Sequence, residues 1–247
     1  MSAVTVQGLA KSFGRNRAVR DVSFTVERGE MLGILGPNGA GKSTTVECIG
    51  AMTKPDSGAI RVLGMDPHAD PVLVRRTLGY QMQSTALPAQ LRVGEALRMF
   101  AAFYPDPMDD AELLEAVGLG EVAGRAFGVL SGGQRQRLSI ALALIGRPRV
   151  LILDEITTGL DPVGRRDVWK LIEDIRASGV TVLLVSHAID EVERLCDRIA
   201  VIVDGRSVYT GTPAQLIRRV LPDPTITGAR SLEDAYLALV AEQRMEA

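Results

Sequence analysis

Residues 36–44, Gly36-Pro37-Asn38-Gly39-Ala40-Gly41-Lys42-Ser43-Thr44, combine residue types that serve one kind of chemistry, the holding of phosphate. The stretch fits the pattern G-x-x-x-x-G-K-[ST], with the apolar run MLGIL before it and the helix-like TTVECIGAM overlapping its end. Glycines let successive backbone amides curl inward around phosphate oxygens, and the dipole of the following helix adds to the attraction. Lys42 is placed to neutralise the β and γ phosphates, and the Ser43 hydroxyl to ligate Mg²⁺. A plain strand-to-helix turn would need the glycines but not the lysine. Lysine is scarce in this chain, at positions 11, 42, 54 and 170.

In VLILDEITTGLDP, four apolar residues carry Asp154 and Glu155 to the carboxyl end of an expected strand, where ligands of open α/β sheets bind. Asp154 is expected to hold Mg²⁺, and Glu155 to polarise the attacking water. The plainer reading of such a pair is a helix N-cap. VTVLLVSHAIDE has the same form and ends a strand at Ser186-His187, so His187 is a candidate to contact the γ-phosphate and align water with Glu155.

A second glycine-led helix start, Leu130-Ser131-Gly132-Gly133-Gln134, again presents bare amides and a serine hydroxyl, which makes an anion site. The chain's own nucleotide is already held by residues 36–43. A phosphate at Ser131, Gly133 and Gln134 must then be presented by another molecule, and a head-to-tail pair of identical chains is the economical arrangement. An ordinary glycine-rich cap is the alternative for this segment taken alone.

These groups need a sheet to position them. Strand-like runs recur as AVRDVSFTV, MLGILG, AIRVLG, RVLILDE, VTVLLVS and RIAVIVDG, several apolar throughout as for strands covered on both faces. Helical patterns fall near 42–52, 93–104, 110–117, 133–146, 163–178 and 189–196. The alternation predicts an α/β fold with a parallel, doubly wound sheet. Residues 85–146 offer no convincing strand and read as a helical insertion, leaving a core of 1–84 and 147–215. A turn-rich link, LPDPTITGAR, then leads to a short helical extension within 216–247. There Leu232, Ala235, Tyr236, Leu239 and Val240 share one helix face, which predicts docking on the same domain.

The chain has 247 residues, enough to bury a core without staples, and a net charge of −2 that argues against a nucleic-acid partner. Cys48 and Cys196 sit in separate apolar patterns and are expected to be buried thiols. No run approaches the ~20 apolar residues that cross a bilayer, and the first residues lack the apolar core of a signal peptide. A cytoplasmic location is expected.

Taken together the motifs resemble the nucleotide-binding subunit of an ATP-binding cassette (ABC) transporter, across residues 1 to about 215. GPNGAGKST corresponds to Walker A, LSGGQ to the family's own motif, VLILDE to Walker B, TTGLDP to the D-loop and VSHAIDE to the switch-histidine segment. The resemblance implies a P-loop NTPase core with an antiparallel β subdomain and an inserted helical subdomain. It implies ATP as nucleotide and Phe13 as an aromatic that stacks on adenine. Gln83 corresponds to the glutamine that reaches Mg²⁺ and the water, with Gln81 a near competitor because Met82 stands where proline is usual. Asp161 corresponds to the D-loop aspartate at the subunit boundary. Ile156 departs from the proline that commonly follows the Walker B glutamate and is expected to loosen that turn without removing a catalytic group.

The resemblance also implies a transmembrane permease subunit as partner, with the ATPase peripheral on the cytoplasmic membrane face. Leu87, Leu91 and their neighbours lie where relatives receive a helix of that subunit. Short form and flanking segments look like bacterial export systems of the multidrug or antibiotic kind. Importers share every catalytic motif, and soluble ABC ATPases are a more distant alternative.

Overall fold

The computed structural model describes residues 2–82, 86–220 and 231–245. Four wholly apolar or nearly apolar runs become buried parallel strands: β3 (Met31–Leu35), β6 (Val150–Asp154), β7 (Thr181–Val185) and β8 (Arg198–Val203). The long strands β1 (Ser2–Phe13) and β2 (Asn16–Glu27) form an antiparallel hairpin, and β4 (Ser57–Val62) pairs with β1. With β5 (Leu78–Gln81) and β9 (Arg206–Gly211) these make one nine-stranded sheet, ordered β4-β1-β2-β9-β8-β3-β7-β6-β5. The stretch β8-β3-β7-β6-β5 is parallel, and β9 joins it antiparallel.

Strand periodicity divides the core between the two faces of the sheet. Leu151, Leu153, Val182 and Leu184 face one side, packing with helices α3 (Val93–Ala101), α4 (Asp110–Ala116), α5 (Gly132–Leu144), α6 (Pro162–Ala177) and α7 (Ile189–Leu195). Val150, Ile152, Leu183 and Val185 face the other, packing with α1 (Lys42–Ile49), α2 (Pro71–Thr77) and the β1–β2 hairpin. Between β5 and β6 the described residues form helices and short 3-10 turns, with a single isolated bridge from Arg92 to Ala126. Leu87 and Leu91 are half-buried against the same core, whereas Met82, Met99 and Phe103 are exposed.

Strands β1, β5 and β9 were not expected from sequence. β1 is interrupted by Thr5, Gln7, Lys11 and Ser12, and β5 is only four residues with a glycine inside it. Cys48 and Cys196 are buried free thiols, and burial pushes the Cys48 thiol up to about 11.

Helices α8 (Pro213–Val220) and α9 (Leu232–Met245) pack on one another, and α9 also meets α7. Leu232, Ala235 and Leu239 are buried in the helical core and Tyr236 packs at its edge, as the single-face pattern required. Leu239→Ala is therefore expected to cost about 2–4 kcal/mol of stability by opening a cavity. Thermal or urea unfolding checks this; an unchanged midpoint would mean that α9 does not contribute to the core.

Candidate nucleotide site

The turn from β3 into α1 is dictated by backbone crowding. A Cβ at Gly36 would stand 2.1 Å from the Ile202 carbonyl oxygen, and one at Gly41 2.3 Å from that of Ala18. Gly41 caps α1 at φ 98° with no side chain on the first-turn amides, so these amides remain directed at the turn. Lys42 is buried, and its Nζ donates to the carbonyls of Gly36 at 2.8 Å and Pro37 at 3.1 Å. Burial lowers its pKa, opposed by the negative charges of Glu155 and Asp154.

Strand β6 is buried along its whole length and ends in Asp154. The Gln81 side-chain oxygen accepts from the Asp154 backbone N–H at 3.1 Å, and Gln81 Nε2 donates to the Met82 carbonyl. Burial, then the charge of Glu155, raises the Asp154 carboxyl to about 6, while a hydrogen bond from Ser43 and the charge of Lys42 pull the other way. Asp154 Oδ1 has no partner among the described residues. A buried anionic oxygen without a donor, beside a serine hydroxyl, offers the hard oxygen ligands that suit Mg²⁺.

Glu155 follows at φ 50°, a left-handed conformation that costs free energy in a residue with a side chain. Its N–H is held by the Val185 carbonyl at 2.9 Å. Because β7 lies between β3 and β6, its end delivers His187 next to both the phosphate turn and Glu155. His187 Nδ1 stands 3.4 Å from Glu155 Oε1. Phe13, Asn38, Gly39, Gly41, Lys42, Ser43, Thr44, Glu155 and His187 line one cleft of about 420 Å³. Phe13 is half-exposed at the tip of the β1–β2 hairpin, with Lys11 Nζ 5.4 Å from its ring centre, so it is not a core residue. Pro37 and Ala40 shape the turn through the 3.2 Å bond from Ala40 N to the Pro37 carbonyl.

Other expected residues lie elsewhere. Ser131, Gly132, Gly133 and Gln134 begin α5 and do not line the cleft. They form a capping box: Ser131 Oγ accepts from Gln134 N at 3.2 Å, and Gln134 Oε1 from Ser131 N at 3.0 Å. Asp161 caps α6 by accepting from Gly164 N at 2.7 Å. Gln83 lies outside the described residues. Its competitor Gln81 is buried and bonded to the backbone of β6 and Met82, which leaves it a scaffold residue here. Sequence reading passed over Asn16 and Ala18, which also line the cleft; their closeness to Phe13 on the same hairpin was the available signal.

Residues 19–158 match the ABC transporter family. The chain belongs to that family. As an ABC ATP-binding subunit it is an ATPase that binds ATP, and its relatives agree with the geometry. It is 40% identical over 229 residues, 91% of this chain and 74% of the relative, to the Nod factor export ATP-binding protein I of Rhizobium johnstonii. It is 38% identical over 97% of its length to the probable multidrug ABC transporter ATP-binding protein YbhF of Escherichia coli, of which it spans 42%. Among solved structures, an ATP-binding subunit of an ABC transporter superposes with a TM-score of 0.83 at 31% identity, covering 96% of this chain and 99% of that one. The dimeric post-hydrolysis cassette MJ0796 bound to ADP and Pi gives 0.73 at 26% identity, covering 85% and 98%.

The raised Asp154 pKa has a sign that can be checked without activity. The native chain holds this proton more tightly than the unfolded chain, so the group's contribution to stability is complete at low pH and is lost as pH rises through about 6. Asp154→Asn removes that loss. In the absence of metal and nucleotide, the variant's stability relative to wild type is expected to improve between pH 5 and pH 8 by on the order of 1 kcal/mol. Unfolding curves at the two pH values decide it; a constant difference contradicts the assignment.

Proposed function

We propose that two copies of this chain close head to tail on ATP, and that hydrolysis and product release reopen them to drive a separate transmembrane permease, in the direction of export. On this reading residues 1–215 are the ATPase domain, with residues 85–146 as its inserted helical part and 216–247 as a C-terminal extension. Residues 36–44 hold the phosphates, and Phe13 stacks on adenine. Glu155 takes the proton of the attacking water and His187 donates to the γ-phosphate. Ser43, Asp154 and Gln83 would hold Mg²⁺, which when bound screens the charge of the phosphate oxygens.

One observation carries the pairing: the capped start of α5, Ser131 to Gln134, lies outside the cleft of its own chain although its Gly132 and Gly133 amides have no acceptor within the helix. Asp161, at the start of α6, belongs on this reading to the same contact, and Leu160 beside it is the nearest side chain to Gly132. The exposed Met82, Met99 and Phe103 support a membrane subunit as partner. No described helix is long and apolar enough to cross a membrane, and on this reading the channel is supplied by that partner. A place on the cytoplasmic face of the membrane, and export rather than import, follow the family likeness.

Glu155→Gln is expected to lower turnover by about 10²–10⁴-fold and to leave an ATP-bound dimer of doubled mass in light scattering. Normal hydrolysis in this variant would remove Glu155 as the base. Ser131→Arg should retain ATP binding and lose both turnover and the dimer, beyond the ~1 kcal/mol that loss of the cap costs the helix. Turnover per chain that is the same at extreme dilution and at high concentration would exclude the shared site.

A further inference from the structure

The two helices that leave the catalytic end of the sheet are joined by a ladder of side chains. On α6, Arg165, Trp169 and Glu173 recur at every fourth residue and form one stripe. On α7 they meet Asp190, Glu191 and Arg194. Arg165 Nη2 donates to the two Asp190 oxygens at 3.1 and 2.9 Å, Trp169 Nε1 to Glu191 Oε1 at 2.9 Å, and Arg194 Nε to Glu173 Oε1 at 3.1 Å. The guanidinium groups of Arg165 and Arg194 lie 5.1 and 5.2 Å from the centre of the Trp169 ring. Trp169 is the one tryptophan of the chain.

Glu191 is the exceptional member. It is fully buried, and its Oε2 has no hydrogen-bond partner among the described residues, as is also true of Arg165 Nε. A buried carboxylate with one oxygen unmet costs stability, and an apolar side chain of similar size would fill the space without that cost. What Glu191 supplies is a defined position for α7 on α6. That position has consequences, because α7 begins two residues after His187 and α6 begins directly after Asp161. Arg165 also walls a cavity of about 230 Å³ shared with Glu155, Ser186, His187 and Leu160. The His187 side chain is 54% exposed and its 3.4 Å contact with Glu155 is too long to fix the ring.

We propose that Glu191 and Trp169 are positioning residues for His187: the ladder sets α7 on α6, aims the imidazole at Glu155, and makes residues 157–161 and His187 move as one body. The inference rests on the role given above to His187.

Glu191→Leu is the direct test. It is expected to stay folded while kcat falls about tenfold and KM for ATP stays within about twofold, the result of misplacing a group rather than weakening binding. A residue that only supported the fold would leave kcat of the folded variant at the wild-type value, whatever its melting temperature. In a cycle with His187→Ala, the double variant should be no slower than His187→Ala alone, because both changes act through one group. Trp169→Phe keeps a ring between the arginines and removes only the N–H, so it runs the same cycle if Glu191→Leu does not fold. Glu191→Gln, which keeps an acceptor for the indole, should recover most of the turnover. Losses that multiply in the double variants, or wild-type kcat in both single variants, overturn the proposal. Wild-type turnover in His187→Ala would instead overturn the role of His187, and is read separately from the ladder.

Discussion

Two buried groups, Lys42 and Asp154, and the partly buried Glu155 are brought together at the carboxyl ends of β3 and β6, and the rest of the structure answers to that fact. Burial lowers the pKa of the lysine and raises that of Asp154, so each charge stands where solvent does not stabilise it. The lysine is satisfied by two loop carbonyls, while one Asp154 oxygen lacks a partner among the described residues. On the proposed function, polyphosphate and a divalent cation would supply the charges that offset this cost. The sheet order follows from the same need. β7 must separate β3 from β6 for a histidine at its end to reach both the phosphate turn and Glu155.

The proposed base, Glu155, is one of five non-glycine residues held at positive φ among the described residues, with Ala51, Leu63, Arg147 and Asp204. Glu155 adopts φ 50° and is held there by the bond from its N–H to Val185 and by Thr158 N donating to its carbonyl at 3.3 Å. The next residue, Ile156, is fully buried in the helical core. A proline here would restrict the turn by fixing φ; apolar burial of Ile156 restrains it by packing. The expectation that isoleucine loosens this approach takes no account of that burial, which the sequence alone could not reveal.

Much of the site was legible because its chemistry demands particular residue types at fixed spacing. Gly36 and Gly41 are needed because any Cβ there would collide with a backbone carbonyl, and Lys42 is needed by charge, so no ordinary turn imitates the run. The core strands were legible because continuous apolar runs mark burial on both faces. β5 was not, since four residues with Gly79 inside carry no periodicity. Missing β5 also hid the bond from Gln81 to the Asp154 backbone, which depends on the β5–β6 pairing. Likewise the capping box at Ser131 reads as S-x-x-Q in sequence, but whether those side chains turn inward to cap or outward to a ligand is a matter of geometry.

The capping box also bears on the proposed pairing. Ser131 and Gln134 satisfy one another, which holds the first turn of α5 open and helical, while the Gly133 position has no heavy atom within 4 Å of where a Cβ would stand. Such a helix start needs nothing from its own chain, and its own cleft lies elsewhere. The starts of α5 and α6 are thus preformed by side-chain caps, the Ser131–Gln134 box in one and Asp161 in the other. Preformed caps lower the entropy cost of association, since little has to be ordered when a second surface arrives. The cleft around Lys42, by contrast, carries the electrostatic cost. On the proposed pairing, this division between preformed helix starts and a charged, unsatisfied cleft places the driving force for closure in the nucleotide rather than in contacts between protein surfaces.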